Sequence, residues 1–423
     1  MKKYRSRIVD KLLSRYLRGI GAVLVEGPKW CGKTTTAAQQ AETIVYMNNP
    51  DSMSANLELA DMNPRKLLEG ATPVLLDEWQ LAPKLWDTIR FECDQRGLPG
   101  QFILTGSAVP PESKFINHSG TGRFARLTMR PMSLYESGDS IGSISLRELF
   151  EGNEELNGVN KLTLDDIAWL ICRGGWPMAC VLDKDIALDQ AKFYVDAVVN
   201  SDISRVDNTT RNPALAMQIL RSYARNQGTQ ATYATLTDDV AANFPGTDTR
   251  TITAYAQSLR KIFVIEDSLS WNPNLRSKSA IRTTDTRYFV DPSIAVAAMG
   301  LGPKDLLNDL KATGMLFETL CVRDLRVYVE ALDGKIYHFR DRHGLECDAV
   351  AHLRNGKYGL IEIKLGGDRQ IDEGAANLLK LRSKIDTERM NHPSFMMVLT
   401  AVGTRPYKRA DGVMVIPVGC LKD

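Results

Sequence analysis

Gly27-Pro28-Lys29-Trp30-Cys31-Gly32-Lys33-Thr34, near the amino terminus, matches the phosphate-binding loop pattern G-x-x-x-x-G-K-S/T. Residues 22–26 before it read Ala-Val-Leu-Val-Glu, which predicts a buried parallel strand. Residues 34–40 after it contain no Gly or Pro, which favours a helix. A loop between a strand and a helix directs backbone N–H groups and a helix amino terminus at an anion. The sequence therefore predicts a nucleoside triphosphate site in an α/β domain with a parallel sheet.

Within this loop, the residue types assign separate tasks. Lys33 is expected to contact the β and γ phosphates of ATP, and the Thr34 hydroxyl is expected to bind Mg²⁺. A Gly-rich turn in another kind of α/β protein is the alternative. The predicted nucleotide-binding residues are Gly27, Pro28, Lys29, Trp30, Cys31, Gly32, Lys33, Thr34 and Thr35.

A second motif follows about forty residues later, where Pro73-Val74-Leu75-Leu76-Asp77-Glu78 reads as an apolar strand that ends in two carboxylates. Ligands bind at the carboxyl ends of strands in such sheets. We expect Asp77 to hold Mg²⁺ and Glu78 to polarise the water that attacks the γ phosphate. An acidic pair after a strand is also a common helix cap, and residues 79–85 could form that helix.

The third strand, at residues 101–104, is followed by Thr105-Gly106-Ser107. We expect these small polar residues, among them the candidate catalytic residue Ser107, to sense the γ phosphate or the attacking water, although an ordinary turn has the same composition. Arg123, on a glycine-containing loop, is the predicted arginine finger, acting in cis or in a neighbouring subunit. A solvated loop arginine is an equally weighted alternative for Arg123, and Arg126 and Arg130 are alternative candidates for the finger.

Taken together, these motifs resemble those of the predicted AAA-superfamily ATPases of bacteria and archaea, which carry a carboxy-terminal domain of uncharacterised function. The resemblance includes the run Pro131-Met132-Ser133-Leu134-Tyr135-Glu136. Later segments that match are Gly174-Gly175-Trp176-Pro177, Tyr288-Phe289-Val290-Asp291, Gly314 with Phe317-Glu318, and Arg340-Asp341 with Glu346 and Asp348. The chain departs from the family at Lys29-Trp30-Cys31, where two arginines are common. The resemblance implies ATP hydrolysis.

Composition excludes several function classes. The net charge of +2 comes from 53 basic and 51 acidic residues, so no global field attracts the chain to nucleic acid or to a membrane, and a polyanion site must be local. The seven cysteines lack C-x-x-C spacing, which argues against a disulfide or zinc framework. Without a signal-peptide core or a membrane-length apolar run, the chain is expected to be cytoplasmic.

Changes in composition and hydrophobic periodicity along the sequence predict four domains. They are an AAA-like ATPase domain at 1–138, a helical connector at 139–212, a winged-helix-like domain at 213–273, and a restriction-endonuclease-like domain at 274–423. The first helix carries a basic stripe of Arg7, Lys11, Arg15 and Arg18, which is interpreted mainly as a solvated face.

Three predicted helices between residues 215 and 262, followed by a hairpin-like stretch at 263–271, have the order of a winged helix. The third helix would be the one offered to a DNA major groove. Its candidate contacts are Thr249, Arg250, Thr253, Tyr255, Gln257, Arg260 and Lys261. Many winged helices pack against protein instead, so fold alone does not establish DNA binding.

The carboxy-terminal third contains two predicted strands, at 347–353 and 359–365. The odd-numbered residues of both are small or apolar and are expected to share the buried face. Odd residues must then pair with odd residues, which requires an odd-length loop or a bulge around Asn355-Gly356. The even-numbered face would bring Asp348, Glu362 and Lys364 together, with Asp348 directly opposite Lys364.

That D…E-x-K arrangement is typical of restriction-endonuclease-like nucleases, in which carboxylates hold Mg²⁺ and a lysine orients the attacking water. Asp348, Glu362 and Lys364 are the predicted catalytic residues, and Glu318, on a predicted helix at 314–328, is expected to join Asp348 and Glu362 as a metal ligand. A solvent-facing salt bridge on an ordinary sheet is the alternative.

We therefore expect Mg²⁺-dependent ATP hydrolysis coupled to a nuclease-like domain that acts on nucleic acid, DNA being favoured over RNA. Two other hypotheses stay open. One is a nucleotide-switched regulatory or interaction protein with an inactive nuclease-like fold, and the other is a winged-helix transcription regulator. A second copy of the chain and a protein partner are open as further partners.

Overall fold

The structure is a computed structural model, and it describes residues 4–106, 120–206, 209–272, 284–388 and 390–423. The chain divides into two compact units. Unit 1 comprises Met1–Arg130, Asp202–Thr210 and Ser258–Phe263, and unit 2 comprises Pro131–Ser201, Arg211–Gln257 and Val264–Asp423. The four-domain division stays a prediction, because the last three predicted domains all contribute residues to unit 2.

A parallel sheet forms the centre of unit 1. Its strands are β1 (Ala22–Glu26), β2 (Thr43–Tyr46), β3 (Val74–Asp77), β4 (Phe102–Gly106) and β5 (Phe124–Thr128). The order across the sheet is β2-β3-β4-β1-β5, and every neighbouring pair runs parallel. The surrounding helices are α1 (Val9–Leu17), α2 (Lys33–Ala38), α3 (Met53–Met62) and α4 (Leu85–Arg96), with single 3-10 turns at Pro64–Leu68 and Trp79–Leu81. The predicted parallel α/β fold is confirmed for this unit.

Both faces of the three inner strands, β3, β4 and β1, are buried, as connections through helices require in a parallel sheet. Alternate residues of each strand therefore enter different cores. One core contains Leu24, Leu76, Leu104, Trp79 and Trp86, and the other contains Val23, Leu75, Ile103, Leu12 and Leu13. This two-sided burial explains why the strands read as continuous apolar runs in the sequence.

The register of the sheet aligns the carboxyl ends of its inner strands. Asp77, at the end of β3, lies beside Thr105 of β4, and Gly106 lies beside Glu26, at the end of β1. The phosphate-binding loop starts directly after Glu26. The loop, Asp77 and Thr105 thus meet at one edge of the sheet.

After Pro131 the chain is largely helical up to residue 330. The helices, in chain order, are α5 (Leu134–Ser137), α6 (Leu146–Glu151), α7 (Leu164–Arg173), α8 (Lys184–Ala197), α9 (Ile203–Arg205), α10 (Pro213–Arg225), α11 (Tyr233–Ala241), α12 (Thr249–Lys261), α13 (Pro292–Met299), α14 (Pro303–Asn308) and α15 (Leu310–Glu330). A π-helical turn, Val198–Asp202, joins α8 to α9. The helices predicted at 165–173 and 188–200 correspond to α7 and to α8 with this turn.

Several of these helices begin at recognisable caps. Thr163 and Asp166 form a capping box at the start of α7, and hydrogen bonds from the backbone and hydroxyl of Thr163 lower the pKa of Asp166. The Asn212 side chain accepts from the amides of Ala214 and Leu215 at the start of α10. These local signals fix where the helices begin.

The stretch predicted to be a hairpin at 263–271 does not fold back on itself. Two of its bridges are antiparallel contacts with a later segment, Ile265 with Phe289 and Ser268 with Thr286, and a third, Ser270 with His338, is parallel. The predicted helix contact Tyr255 is also withdrawn from the surface, because its ring is buried and its hydroxyl accepts from the Asn212 amide at 3.0 Å. Residues 273–283 lie outside the described part of the chain, and a winged helix at 213–273 stays a prediction.

The carboxy-terminal part of unit 2 is a mixed sheet with α16 (Asp368–Lys384) packed on it. Its strands are β7 (Gly334–Arg340), β8 (Glu346–Leu353), β9 (Tyr358–Lys364), β10 (Phe395–Thr400), β11 (Tyr407–Lys408) and β12 (Met414–Pro417). They lie in the order β11-β12-β10-β9-β8-β7. Antiparallel pairing joins β7 to β8 and β8 to β9, whereas β10 runs parallel to β9 and β12. The short strands β6 (Ile144–Ser145) and β13 (Leu421–Lys422) form a separate parallel pair.

The odd-with-odd register predicted for β8 and β9 is confirmed, since Ala349 pairs with Ile361 and Ala351 with Gly359. The turn that achieves it is a three-residue loop closed by a hydrogen bond from the Leu353 amide to the Lys357 carbonyl at 2.8 Å. The predicted partner of Asp348 was wrong, because one step beyond the Ala349–Ile361 pair is Glu362 and not Lys364.

The assignment of a single buried face to these strands was also wrong. The even-numbered Val350 and Leu360 are buried as well, in the core that contains Leu378 of α16. The acidic residues of the even-numbered face therefore lie next to buried apolar residues of the same face.

A fully buried ion network holds unit 2 together. The Arg323 guanidinium, on α15, donates to Asp291 Oδ2 at 2.9 Å and to Asp324 Oδ1 at 2.7 Å. The two carboxylates also accept backbone amides, Asp291 from Gly175 and Asp324 from Leu134, each at 2.9 Å. Burial raises the pKa of Asp324 to about 6, although Arg323 opposes the rise. Four segments far apart in sequence meet at this network.

Arg323→Ala should destabilise unit 2 strongly, because it leaves two buried carboxylates without their cation. The expected loss is about 3–5 kcal/mol in the free energy of unfolding, measured by urea and thermal denaturation. Arg369→Ala is the matched control, since Arg369 forms an exposed pair with Glu373 on α16. Equal effects of the two changes would contradict the role given to Arg323.

Candidate functional site

The phosphate-binding loop connects β1 to α2, and two of its glycines have backbone angles that other residues rarely adopt. Gly32 has φ of 100° and Gly27 has φ of 152°. A Cβ on Gly27 would lie 2.0 Å from the Met129 carbonyl oxygen. Both positions therefore require glycine for the loop to close over the edge of the sheet.

Lys33 points into the loop that precedes it. Its side chain is buried, and its ammonium donates to the Gly27 carbonyl at 3.0 Å and to the Pro28 carbonyl at 2.8 Å. The cation thus sits beside the backbone amides that would surround a phosphate group. This is the place that a lysine bound to the β and γ phosphates requires.

Asp77, at the end of β3, accepts hydrogen bonds from two hydroxyl groups. Its Oδ1 atom accepts from the Thr34 hydroxyl and from the Thr105 hydroxyl, each at 2.6 Å. A hydroxyl and a carboxylate are the hard oxygen ligands that Mg²⁺ takes in nucleotide sites. Thr34 and Asp77 therefore fit a magnesium ion. Thr105 belongs to the small polar group predicted at the end of the third strand, and its contact with Asp77 places it at this site.

Glu78 is held in a strained conformation next to Asp77. Its φ of 56° and ψ of 42° lie in the left-handed region, which costs free energy in a residue with a Cβ. The Glu78 carboxylate accepts a hydrogen bond from the Gln80 side chain. The backbone thus leaves the strand conformation at Glu78, directly before the turn at Trp79–Leu81. Ser107, the predicted sensor, lies outside the described residues.

Other loop residues have different roles. Cys31 is buried with its thiol 3.5 Å from the Met129 carbonyl, whereas Trp30 and Thr35 are exposed. Lys29 forms an ion pair with Asp202 of the same unit. Among the predicted nucleotide-binding residues, the side chains of these four therefore contact other protein groups or are exposed.

Arg7, which was interpreted as part of a solvated stripe, is buried instead. Its guanidinium donates to the carbonyls of Cys31 and Arg130, each at 2.9 Å. It therefore ties the phosphate-binding loop to the segment that follows β5. The sequence spacing of the stripe could not distinguish this residue from its exposed neighbours.

Arg123 lies at the wrong edge of the sheet for the predicted role in cis. It directly precedes Phe124, which pairs with Ala22 at the amino end of β1. The length of β1, about 13 Å at 3.3 Å per residue, separates that position from the phosphate-binding loop. Arg123 also pairs with Asp94 at 2.6 Å. Its role in a neighbouring subunit stays a prediction.

The alternatives to Arg123 are placed differently. Arg126 lies in the middle of β5 and donates to Glu26 at 3.0 Å, and burial raises the pKa of Glu26 against the effect of that arginine. Arg130 follows β5 at the edge where the loop lies. Of the three arginines, Arg130 is therefore nearest in the sheet register to the predicted catalytic edge.

The predicted carboxy-terminal residues also come together. The Lys364 ammonium lies 2.6 Å from Glu362 Oε2 and 3.0 Å from Asp348 Oδ2. Asp348 additionally accepts the Ile363 amide at 2.7 Å, so its side chain lies between the ends of β8 and β9. This confirms that the two carboxylates and the lysine share one site.

Burial controls the protonation of this site. Glu362 is 1% exposed, and burial together with Asp348 raises its pKa to about 8 despite the opposing effect of Lys364. Burial alone would lower the pKa of Lys364, but the two carboxylates raise it. Glu362 Oε1 is buried, and within the described residues it has no hydrogen-bond partner.

Glu318, on α15, is the fourth acidic residue predicted for this group, and it is partly buried. Burial, reinforced by Asp348, raises the pKa of Glu318 well above its usual range. The Tyr288 hydroxyl donates to Glu318, and a Cβ on Gly228 would lie 3.0 Å from both carboxylate oxygens. Glu318 is thus covered by two residues from earlier in unit 2.

A metal at this site must therefore be judged against the donors present. The oxygens of Glu362 and Asp348 suit Mg²⁺, and the unpartnered Glu362 Oε1 leaves one acceptor for it. Among the described residues, however, no group of three or more His, Cys, Asp or Glu side chains is arranged to hold a metal ion. The residues fit a cation only in part, because Lys364 already contacts both carboxylates.

Comparisons with known proteins match three parts of the chain. Residues 20–138 match the family model of an AAA domain. Residues 164–305 match a domain of unknown function (DUF8612), and residues 313–421 match another (DUF4143). The first match covers the phosphate-binding loop, Asp77 and Glu78 in the geometry described above. The protein is an ATPase.

Similar whole chains add little about function. Uncharacterised proteins of Mycobacterium tuberculosis and Mycobacterium bovis are each 22% identical over 363 residues, which cover 83% of this chain and 72% of the relative. The Walker-type ATPase of Pyrococcus abyssi has a TM-score of 0.40 at 14% identity, over 69% of this chain and 94% of that chain. A signal transduction ATPase with numerous domains and a tetratricopeptide repeat sensor, from Pyrococcus horikoshii, has a TM-score of 0.26 at 12% identity, over 78% of this chain and 48% of that chain.

None of the helices in the described ranges is long and apolar enough to cross a bilayer.

Thr105→Val should lower ATP turnover, because it removes one of the two hydroxyls that orient Asp77. A hydrogen bond to a charged group is worth about 1.5–3 kcal/mol, so a loss of about tenfold or more in kcat is expected. Phosphate release at saturating ATP measures it. Thr105→Ser keeps the hydroxyl and should retain most of the activity. Unchanged turnover in the valine variant would remove Thr105 from the site.

Proposed function

We propose that this ATPase uses Mg²⁺-dependent ATP binding and hydrolysis to control a nuclease-like domain that acts on nucleic acid. The observation that carries the proposal is the meeting of Asp348, Glu362 and Lys364 at the ends of β8 and β9. Neither the phosphate-binding loop nor the AAA match accounts for a partly buried lysine between two carboxylates so far along the chain.

In the ATPase site, each residue has a distinct task. Lys33 leaves the Gly27 and Pro28 carbonyls to bind the β and γ phosphates, and the loop amides surround the β phosphate. Thr34 and Asp77 hold Mg²⁺, which when bound neutralises charge on the phosphates. Glu78 accepts a proton from the attacking water. Gln80, through its hydrogen bond, keeps the Glu78 carboxylate in place.

The order of elements supports the nuclease-like proposal for the carboxy-terminal domain. A helix, α15, is followed by three antiparallel strands, then by α16 and the parallel strand β10. Asp348 and Glu362 would hold a divalent ion, which when bound would polarise the scissile phosphate. Lys364 would orient the attacking water and balance the charge that develops on the phosphate.

Nucleic acid as the substrate class rests on the same chemistry and on α12. Arg250, Gln257 and Lys261 of this helix are exposed, and such side chains contact phosphates and base edges. DNA is proposed ahead of RNA because α12 precedes an antiparallel pair of segments, as the recognition helix of a winged helix does. Assembly of several copies would give Arg123 a route to a neighbouring ATP site.

A second candidate function is favoured by the state of Glu318. This acid is partly buried, burial and Asp348 raise its pKa, and Tyr288 donates to it. A site closed in this way suits a nucleotide-switched regulatory protein whose nuclease-like fold does no chemistry. The two candidates differ in whether metal and ATP lead to cutting of a polymer.

Glu78→Gln should retain ATP binding and lose hydrolysis, because the amide cannot accept the proton of the attacking water. A decrease of about a hundredfold or more in phosphate release is expected, with nucleotide affinity near that of the wild type. Titration with labelled ATP and a phosphate-release assay measure the two quantities. Full turnover by the variant would show that another group is the base.

Glu362→Ala should abolish Mg²⁺- or Mn²⁺-dependent cutting of DNA and RNA while ATP turnover is unchanged. Glu346→Gln is the matched control, since Glu346 lies on β8 and pairs with Arg340 at 3.0 Å. Both polymers are incubated with protein, metal and ATP and then resolved by size. Cutting that survives in Glu362→Ala would reject the nuclease role of this site.

The same assay separates the two candidate functions. Tyr288→Phe removes the hydroxyl that donates to Glu318 and should ease opening of the site. If neither the wild-type chain nor Tyr288→Phe cuts a polymer with metal and ATP, the regulatory function is supported instead.

A further inference from the structure

Lys29 occupies the second variable position of the phosphate-binding loop, directly after Pro28. Its ammonium lies 2.6 Å from Asp202 Oδ1. The Lys29 side chain is 41% exposed, whereas that of Asp202 is 9% exposed. The pair therefore joins a half-exposed cation of the loop to a buried carboxylate 173 residues further along the chain.

Asp202 is placed in an unusual element. It is the last residue of the π-helical turn Val198–Asp202, and it is also the residue at which the chain passes from unit 2 into unit 1. Short π-helical insertions are rare and occur often at functional sites. A buried carboxylate at this point needs a cation, because burial without one is costly. Lys29 supplies that cation.

A bound triphosphate changes the electrostatic balance around Lys29. In the structure, the Lys33 ammonium donates to the carbonyls of Gly27 and Pro28, and the Lys29 ammonium pairs with Asp202. Both lysines of this short loop are therefore bound to protein oxygens. The phosphate groups of ATP bring several negative charges to the amides of that loop. They compete with the single carboxylate of Asp202 for the Lys29 ammonium, which sits on a long, flexible side chain.

We propose that the Lys29–Asp202 ion pair is a nucleotide-sensing contact, which ATP breaks by drawing Lys29 toward its phosphates. Asp202 loses its cation when this happens, and the π-helical turn Val198–Asp202 rearranges. Nucleotide occupancy is thereby reported to the point where the chain crosses between units. This inference goes beyond ATP hydrolysis and does not depend on the nuclease-like proposal.

Because coupling between two events is reciprocal, a residue that senses ATP must also affect ATP affinity. Asp202→Asn should bind ATP about fivefold more tightly than the wild type, since Lys29 no longer has to leave an ion pair. In a Lys29→Ala background, Asp202→Asn should have no such effect. Fluorescence titration of all four proteins with a labelled ATP analogue completes the double-mutant cycle.

Hydrogen exchange provides a second readout. In the Glu78→Gln variant, which does not turn ATP over, addition of ATP should change amide exchange in residues 198–206. The change should disappear in Glu78→Gln combined with Asp202→Asn. Asp189→Asn is the control, because Asp189 lies on α8 and pairs with Lys192 at an exposed site. It should alter neither ATP affinity nor the exchange response.

Two outcomes would overturn the proposal. If Asp202→Asn tightens ATP binding equally with and without Lys29, the carboxylate acts as a distant negative charge and not through the ion pair. If exchange in residues 198–206 responds to ATP as before in the Asp202→Asn variant, the contact senses nothing. Lys33→Ala is the non-binding reference, and a wild-type titration identical to it would overturn the ATPase assignment as well.

Discussion

Unit 2 depends on the buried ion pairs that the Arg323 guanidinium forms with Asp291 and Asp324. Two carboxylates compensate this one buried cation, and each of them also accepts a backbone amide from a distant segment. Gly175 and Leu134 are thereby held to α15 through Asp291 and Asp324. Because a buried charge tolerates no loss of its partners, all four segments must be in place together. The segments through which the sequence resembles other ATPases after the first domain thus include the parts of this network, and their shared residues have a structural task.

The ATPase site was largely predictable because its parts are contiguous in sequence. A phosphate-binding loop of eight residues is itself the site, and Asp77 and Glu78 directly follow an apolar strand. Alternation within a parallel sheet then places the strand ends at one edge, which needs no knowledge of long-range contacts. Arg7 and Asp202 could not be found in this way, since an ion pair or a hydrogen bond across the fold leaves no periodic signal. Arg123 was misplaced in cis because a loop next to a strand can lie at either end of it.

The carboxy-terminal site shows a different limit. Hydrophobic alternation gave the correct parity for β8 and β9, since a shift by one residue would expose a buried face. Alternation alone does not distinguish two registers that differ by a shift of two residues. The partner of Asp348 was misassigned for this reason. The number of residues in the turn decides that register, and it depends on backbone geometry around Asn355-Gly356. The cover over Glu318 by Tyr288 was also beyond prediction, because the two residues are 30 positions apart and belong to elements of different type.

Gly228 adds a constraint of its own. With φ of 66° it adopts a backbone conformation that disfavours side chains, and any Cβ there would lie 3.0 Å from the Glu318 oxygens. A homologue with alanine or a larger residue at this position would have to move either the loop or the acid. The identity of this one residue therefore distinguishes chains in which the carboxyl group is covered by the loop from chains in which it faces solvent.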